Sequence, residues 1–134
     1  MYLVGLDAGK TSISGVLLDL TTGTADRVLS VEHDARLPGD DPDTSLQDPA
    51  RIRKALEDVL SDLVDEAHRA GGSDASAGIV GISLTGQVHG ILYVDRSGSA
   101  LSPLYTWQDV RGRRTRSTAA GSPTWIDWAR ERSG

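Results

Sequence analysis

Two apolar runs, residues 2–7 and 12–19, are separated by only four residues, Ala8-Gly9-Lys10-Thr11. So short a link reverses the chain but cannot carry a parallel crossover, which needs about a dozen residues or more. The two runs therefore form a β-hairpin. Thr21-Thr22-Gly23-Thr24 turns the chain again, and residues 25–33 give a third strand interrupted by Asp26, Arg27 and Ser30. Three strands joined by tight turns predict an antiparallel meander.

A helix follows. Asp48-Pro49 is a start signal, with Asp at the cap and Pro at the first helical position. Ile52, Leu56, Val59, Leu60, Leu63, Val64 and Ala67 then recur at helical spacing, with Glu57, Asp58, Asp62, Asp65 and Glu66 off the stripe. This predicts one apolar face against a core. Gly71-Gly72 ends the helix, and a Ser/Gly/Ala linker leads on. Residues 79–84 read as a buried strand, and 91–94 and 101–107 as a hairpin turned by Asp95-Arg96-Ser97-Gly98. Ser122-Pro123 opens a last helix running over residues 125–129 and stopping at Gly134. The predicted class is α/β: a three-strand meander, a helix, a strand, a hairpin and a partial helix.

Composition removes several alternatives. The 134 residues form one domain at most, by the usual domain size. The net charge of −5 excludes a general nucleic-acid footprint. Residues 1–95 carry seven basic and sixteen acidic side chains, whereas 96–134 carry seven and three. With no Cys there is no disulfide, thiol nucleophile or thiolate metal site. No run approaches the ~20 apolar residues of a membrane span, and no signal peptide is visible, so a cytoplasmic location is the default expectation. Phe is absent, so the core is expected to draw on Val, Leu, Ile, Ala, three Trp and three Tyr. Residues 37–48, with two Pro and four Asp, read as a solvated loop without chemistry. His33 and His68 read as structural or surface residues, and no metal-ligand spacing exists.

Three short motifs carry chemistry. Asp7-Ala8-Gly9-Lys10-Thr11-Ser12 contains Gly-Lys-Thr but is not a Walker A loop. Gly5 and Gly9 enclose three residues where that loop has four, and a strand follows where it has a helix. As a hairpin turn it suits phosphate. Gly9 admits close backbone approach, Lys10, Thr11 and Ser12 offer donors, and Asp7 suits a hydrated Mg²⁺. A plain Gly-containing hairpin is the alternative. Gly86-Gln87-Val88-His89-Gly90 follows a strand end, where open sheets place ligands. Gln87 and neutral His89 both donate and accept, as sugar hydroxyls require. A satisfied loop His with a capping Gln is the alternative. In Tyr105-Thr106-Trp107-Gln108-Asp109-Val110-Arg111, an indole face beside an amide and a carboxylate suits a polyol. Arg111 pairs with Asp109 or with a phosphate. A core Trp with a surface ion pair is the alternative.

In this order the three motifs resemble the FGGY family of carbohydrate kinases. Residues 6–12 resemble its first phosphate motif, residues 82–90 its Gly-Gln-Met-His-Gly sugar loop, and residues 106–111 its Trp-Gln-Asp-Gly-Arg motif. The last two look closest to the sedoheptulokinase branch, with xylulokinases next. The resemblance implies a ribonuclease-H-like first domain of the actin/hexokinase-like ATPase architecture, incomplete over residues 1–134, with 112–134 as a divergent basic tail and terminal helix. It implies phosphate and Mg·ATP binding by Asp7, Gly9, Lys10, Thr11 and Ser12, with Asp7 holding Mg²⁺ through water. It implies sugar binding by Gln87, His89, Trp107, Gln108, Asp109 and Arg111. The catalytic Asp and a C-terminal kinase domain, in cis or in trans, are expected beyond residue 134. The implied partner is a small sugar, with no nucleic acid or membrane. Lys10 stands where the family has Thr, Ser14 where it has Lys or Arg, and Val110 where it has Gly. An inactive remnant or a sugar- or partner-binding module is the other reading these departures leave open.

Overall fold

The computed structural model describes residues 1–71 and 78–133. It divides into two compact units, one of residues Met1–Ala35 and Asp48–Val88, the other of Arg36–Gln47 and His89–Gly134.

The first unit is a four-stranded sheet with one helix. Strands β1 (Tyr2–Ala8), β2 (Ser12–Asp19) and β3 (Thr24–Glu32) form the predicted antiparallel meander. Helix α1 (Pro49–Gly71) crosses over to β5 (Ile79–Gly86), which pairs parallel with β1. The sheet order is β3-β2-β1-β5. Alternation puts Tyr2, Val4 and Leu6 of β1 and Ile13 and Leu17 of β2 on the core face. The helical stripe covers them with Val59, Leu63 and Ala67, and Ile52, Leu56 and Leu60 pack at its margin. Asp48 caps as expected: its Oδ1 accepts the N–H of Ala50 at 2.9 Å. Gly15 admits this close packing, since a Cβ there would lie 2.8 Å from both Leu63 Cδ1 and Val59 Cγ1.

Two expectations need correction in this unit. Residues 79–84 are not a buried strand. β5 is the last strand in the sheet order, so only β1 flanks it, and Val80, Ile82 and Leu84 are exposed. Its strand also runs on through Thr85 and Gly86. Among the described residues, Tyr2 is the one aromatic residue in this core. The short side chains of β1, β2 and α1 already fill it. Gly72 and linker residues 73–77 lie outside the described residues, as does Gly134.

The second unit is built mostly from turns. Its strands are two residues each, β4 (Leu46–Gln47) and β6 (Leu104–Tyr105), paired antiparallel. The predicted hairpin is reduced to isolated bridges, Ile91 with Tyr105 and Val94 with Ala100. Its turn is present: Asp95 Oδ1 accepts the N–H groups of Ser97 and Ser99, and Gly98 has φ +83°. Helix α2 (Trp125–Ser133) starts at Thr124, whose hydroxyl accepts the Asp127 N–H at 3.1 Å and donates to its carboxylate at 2.6 Å. Trp125 and Trp128 meet edge to face, with the Arg116 guanidinium over both rings. Residues 37–48 are not uniformly solvated, because β4 falls there and Gln47 is buried. Among the described residues no helix is long and apolar enough to cross a membrane.

Candidate functional site

In the first unit, the hairpin between β1 and β2 is closed by the Gly9 N–H donating to the Ser12 carbonyl at 3.0 Å. A side chain at Gly9 would place Cβ 2.9 Å from that oxygen, so the turn itself requires glycine. The next element braces it. The His33 N–H donates to the Thr11 carbonyl at 2.9 Å, and its Nε2 lies 3.1 Å from the Gly9 carbonyl. Nε2 is therefore the protonated nitrogen of this imidazole. Nδ1 is buried without a hydrogen-bond partner among the described residues. Of the two roles expected for His33, structural or surface, the structure shows the structural one: it supports the turn directly.

Asp7 stands at the carboxyl end of β1, exposed, with Ser14 and Thr85 as its neighbours on the flanking strands. A cavity of about 310 Å³ opens there, lined by Gly5, Asp7, Ser14, Val16, Ser83 and Thr85 among others. Ser14, where the family has a base, shares its hydroxyl with Ser30 at 3.0 Å. The donor set fits a phosphate group with a hydrated divalent ion: the exposed Thr11, the half-buried Ser12, the Lys10 ammonium and a single carboxylate. Among the described residues no three His, Cys, Asp or Glu side chains converge on a metal position. Such a set suits an ion shared with phosphate and water. Gln87 belongs to this unit too, and its N–H donates to the Ala8 carbonyl at 2.9 Å.

In the second unit, a cavity of about 430 Å³ is lined by His89, Tyr93, Tyr105, Trp107, Asp109 and Ile126, with Ile91, Thr106 and Gly112. The structure thus joins three of the expected sugar residues, His89, Trp107 and Asp109, in one cavity wall. Trp107 is 59% exposed, so its indole is a free surface and not part of a core. His89 has φ +62°, a left-handed conformation uncommon outside glycine. Gln108 is exposed beside Trp107. Arg111 is bound to Asp109 by Nη2 to Oδ2 at 2.7 Å and Nε to Oδ1 at 2.9 Å. That bidentate guanidinium, followed by the Ser45 and Arg111 N–H groups, holds the Asp109 carboxyl below the ordinary carboxylate value. Reciprocally, Asp109 raises the Arg111 value, keeping the guanidinium charged.

Several residues of this cavity escaped the sequence. Tyr105 and Thr106 head the Trp107 motif, but nothing in the local pattern marked a role for either. Tyr93 meets Tyr105 edge to face at 6.4 Å. Ile126 arrives from the terminal helix, and a Cβ on Gly112 would lie 3.1 Å from it. Ser45, which does not line the cavity but bonds Thr106 and Asp109 of its wall, comes from the acidic loop, where nothing in the local pattern marked it.

Comparison with known proteins gives the family. Residues 2–120 match the N-terminal domain of the FGGY family of carbohydrate kinases, and the chain belongs to that family. It is 33% identical over 110 residues to a xylulose kinase of Lactococcus lactis subsp. lactis, a match covering 82% of this chain and 20% of that protein. The fold is similar to that of the xylulose kinase from Rhodospirillum rubrum, with TM-score 0.67 and 27% identity over 84% of this chain and 21% of the other. It is also similar to the gluconate kinase from Lactobacillus acidophilus, with TM-score 0.66 and 25% identity over 84% and 20%. The chain spans about a fifth of the length of each of these three proteins. Its architecture is the first part of the actin/hexokinase-like fold that such sugar kinases share.

Proposed function

We propose that this chain supplies the sugar-facing wall and the first phosphate turn of an ATP-dependent carbohydrate kinase acting on a ketose or polyol. The observation that carries the reading is the second unit's cavity, where an exposed indole, an imidazole and a clamped carboxylate share one wall. The Trp107 face packs on sugar C–H groups, while His89 and Gln108 serve hydroxyls. Arg111, held by Asp109, presents a fixed positive charge. Among sugars we place xylulose ahead of sedoheptulose, because two of the three similar proteins above are named xylulose kinases.

Asp7, Gly9, Lys10, Thr11 and Ser12 would face the phosphates of Mg·ATP, with Asp7 reaching the ion through water. Bound ATP supplies the phosphoryl group that passes to a sugar hydroxyl. Catalysis of this class rests on positioning and charge stabilisation, with a carboxylate accepting the hydroxyl proton. We assign that carboxylate, and the adenosine pocket, to a further kinase domain in cis or in trans.

The test is titration of the 134-residue chain with xylulose, sedoheptulose, ribulose and glycerol, followed by Trp fluorescence, with Trp107→Ala as control. Saturable quenching by a ketose that Trp107→Ala removes is expected. A chain with no saturable response to any of them refutes the sugar site. In a coupled ADP-release assay the chain alone is expected to show no sugar-dependent turnover, and turnover would overturn the division of labour.

A further inference from the structure

Trp107 and Gln108 sit at the two corners of a tight turn, closed by the Asp109 N–H donating to the Thr106 carbonyl at 3.0 Å. Both corner residues are exposed, whereas Thr106 is only 4% exposed. One residue from a distant part of the chain holds this turn at both ends. The Ser45 carbonyl accepts the Thr106 N–H at 3.0 Å, and its hydroxyl accepts from Thr106 Oγ1 at 2.7 Å. The Ser45 N–H donates to Asp109 Oδ2 at 3.2 Å. All three polar groups of Ser45 are thus spent on residues 106–109. The same loop grips the chain just beyond the turn: the Val110 N–H donates to the Asp43 carbonyl at 2.9 Å, and Asp41 and Asp43 both pair with Arg114.

The Asp109 carboxylate is correspondingly occupied. It accepts from Arg111 Nε, Nη2 and backbone N–H as well as from Ser45. A carboxylate has about four lone-pair directions. Few remain for a sugar hydroxyl.

We propose that Ser45 and Thr106 are positioning residues: they fix the turn that presents Trp107 and Gln108 and they hold Asp109 as the mount of Arg111. This assigns part of the acidic loop to the site. It rests on the sugar reading for its purpose, but the bonds can be tested independently of any sugar.

The test uses the full 134-residue chain and NMR of the Arg111 side-chain Nε–H, with β1 and β2 amide protection as the record of the fold. Thr106→Val removes the hydroxyl and keeps the shape, and Thr106→Ser restores it. Ser45→Ala removes the same bond from the more exposed partner, and carries the test should Thr106→Val fail to fold. Solvent exchange of Arg111 Nε–H is expected to rise about tenfold in Thr106→Val and Ser45→Ala, the scale of one lost hydrogen bond, with strand protection unchanged. Thr106→Ser should return it to the wild-type rate, and xylulose affinity should follow the same order. Exchange within about twofold of wild type in both hydroxyl-deleted variants overturns the proposal. A wild-type chain that binds no sugar, with Arg111 still released by Thr106→Val, sinks the sugar reading and upholds the positioning role.

Discussion

Asp109 shows how one residue's surroundings set its part in the molecule. As a letter beside Trp107 and Gln108 it read as a hydroxyl acceptor. In the fold its carboxylate faces a guanidinium and two backbone N–H groups, and its side chain is 10% exposed. The sequence offered Arg111 two residues away but not Ser45, which lies 64 residues back. Local spacing shows the first kind of partner and is blind to the second. The consequence for stability has a definite sign. A carboxyl with its folded pKa below the unfolded value stabilises the fold fully above the unfolded value and loses that contribution as pH falls through the folded one. Asp109→Asn should therefore cost about 1–3 kcal/mol near neutral pH, the scale of hydrogen bonds to a charged group. The difference should stay level down to roughly pH 5 and shrink below about pH 4. Urea midpoints of the two proteins across that range check this. Asp19, Asp41 and Asp95 are also held below their ordinary values, so both proteins weaken in acid, and only the difference reports Asp109. A difference that persists unchanged at the lowest pH would refute the account.

Among the elements, those with strong periodicity were legible. α1 was set by its Asp48-Pro49 start and its apolar stripe, and the meander by links too short for anything but reversal. β4 and β6 were not, because two residues carry no period and their pairing joins segments more than fifty residues apart. β5 was readable as a strand but not as an edge, since burial depends on what lies beside it. The contact between α1 and the sheet turns on Gly15. An alanine there would push its methyl into Leu63 and Val59, both fully buried and unable to swing aside. Gly15→Ala should destabilise by about 1–3 kcal/mol, the usual range for overpacking. In a Val59→Ala background the added methyl meets space instead, so the same change should cost less. The two substitutions touch, and their effects should fail to add. A double-mutant cycle of urea midpoints decides it; strict additivity would mean the helix yields as a body.

At the scale of the whole molecule, family membership was legible because three motifs in fixed order are far more specific than any one. The expected placement near sedoheptulokinases is finer than such motifs carry, since they position hydroxyls without selecting a sugar. Exposure of the sheet was not legible at all. Its two edges differ in kind. β3 carries Asp26, Arg27 and Glu32, charges that discourage pairing with another chain, whereas β5 reads Ile-Val-Gly-Ile-Ser-Leu-Thr-Gly without a charge. Val80, Ile82 and Leu84 are each more than half exposed along that edge, and its outer row of peptide groups faces no strand among the described residues. An uncharged apolar edge is a template for intermolecular pairing. The 134-residue chain is therefore expected to self-associate as its concentration rises. Leu84→Lys should shift it toward monomer, because a charge at the centre of a new strand pair would have to be desolvated. Leu84 is 64% exposed, so the fold itself should lose little, within about 0.5 kcal/mol for a surface change of this kind. Sedimentation velocity over a concentration series, beside thermal unfolding of both proteins, separates the two effects. A wild-type chain that stays monomeric throughout would mean that β5 is protected by something other than its own composition.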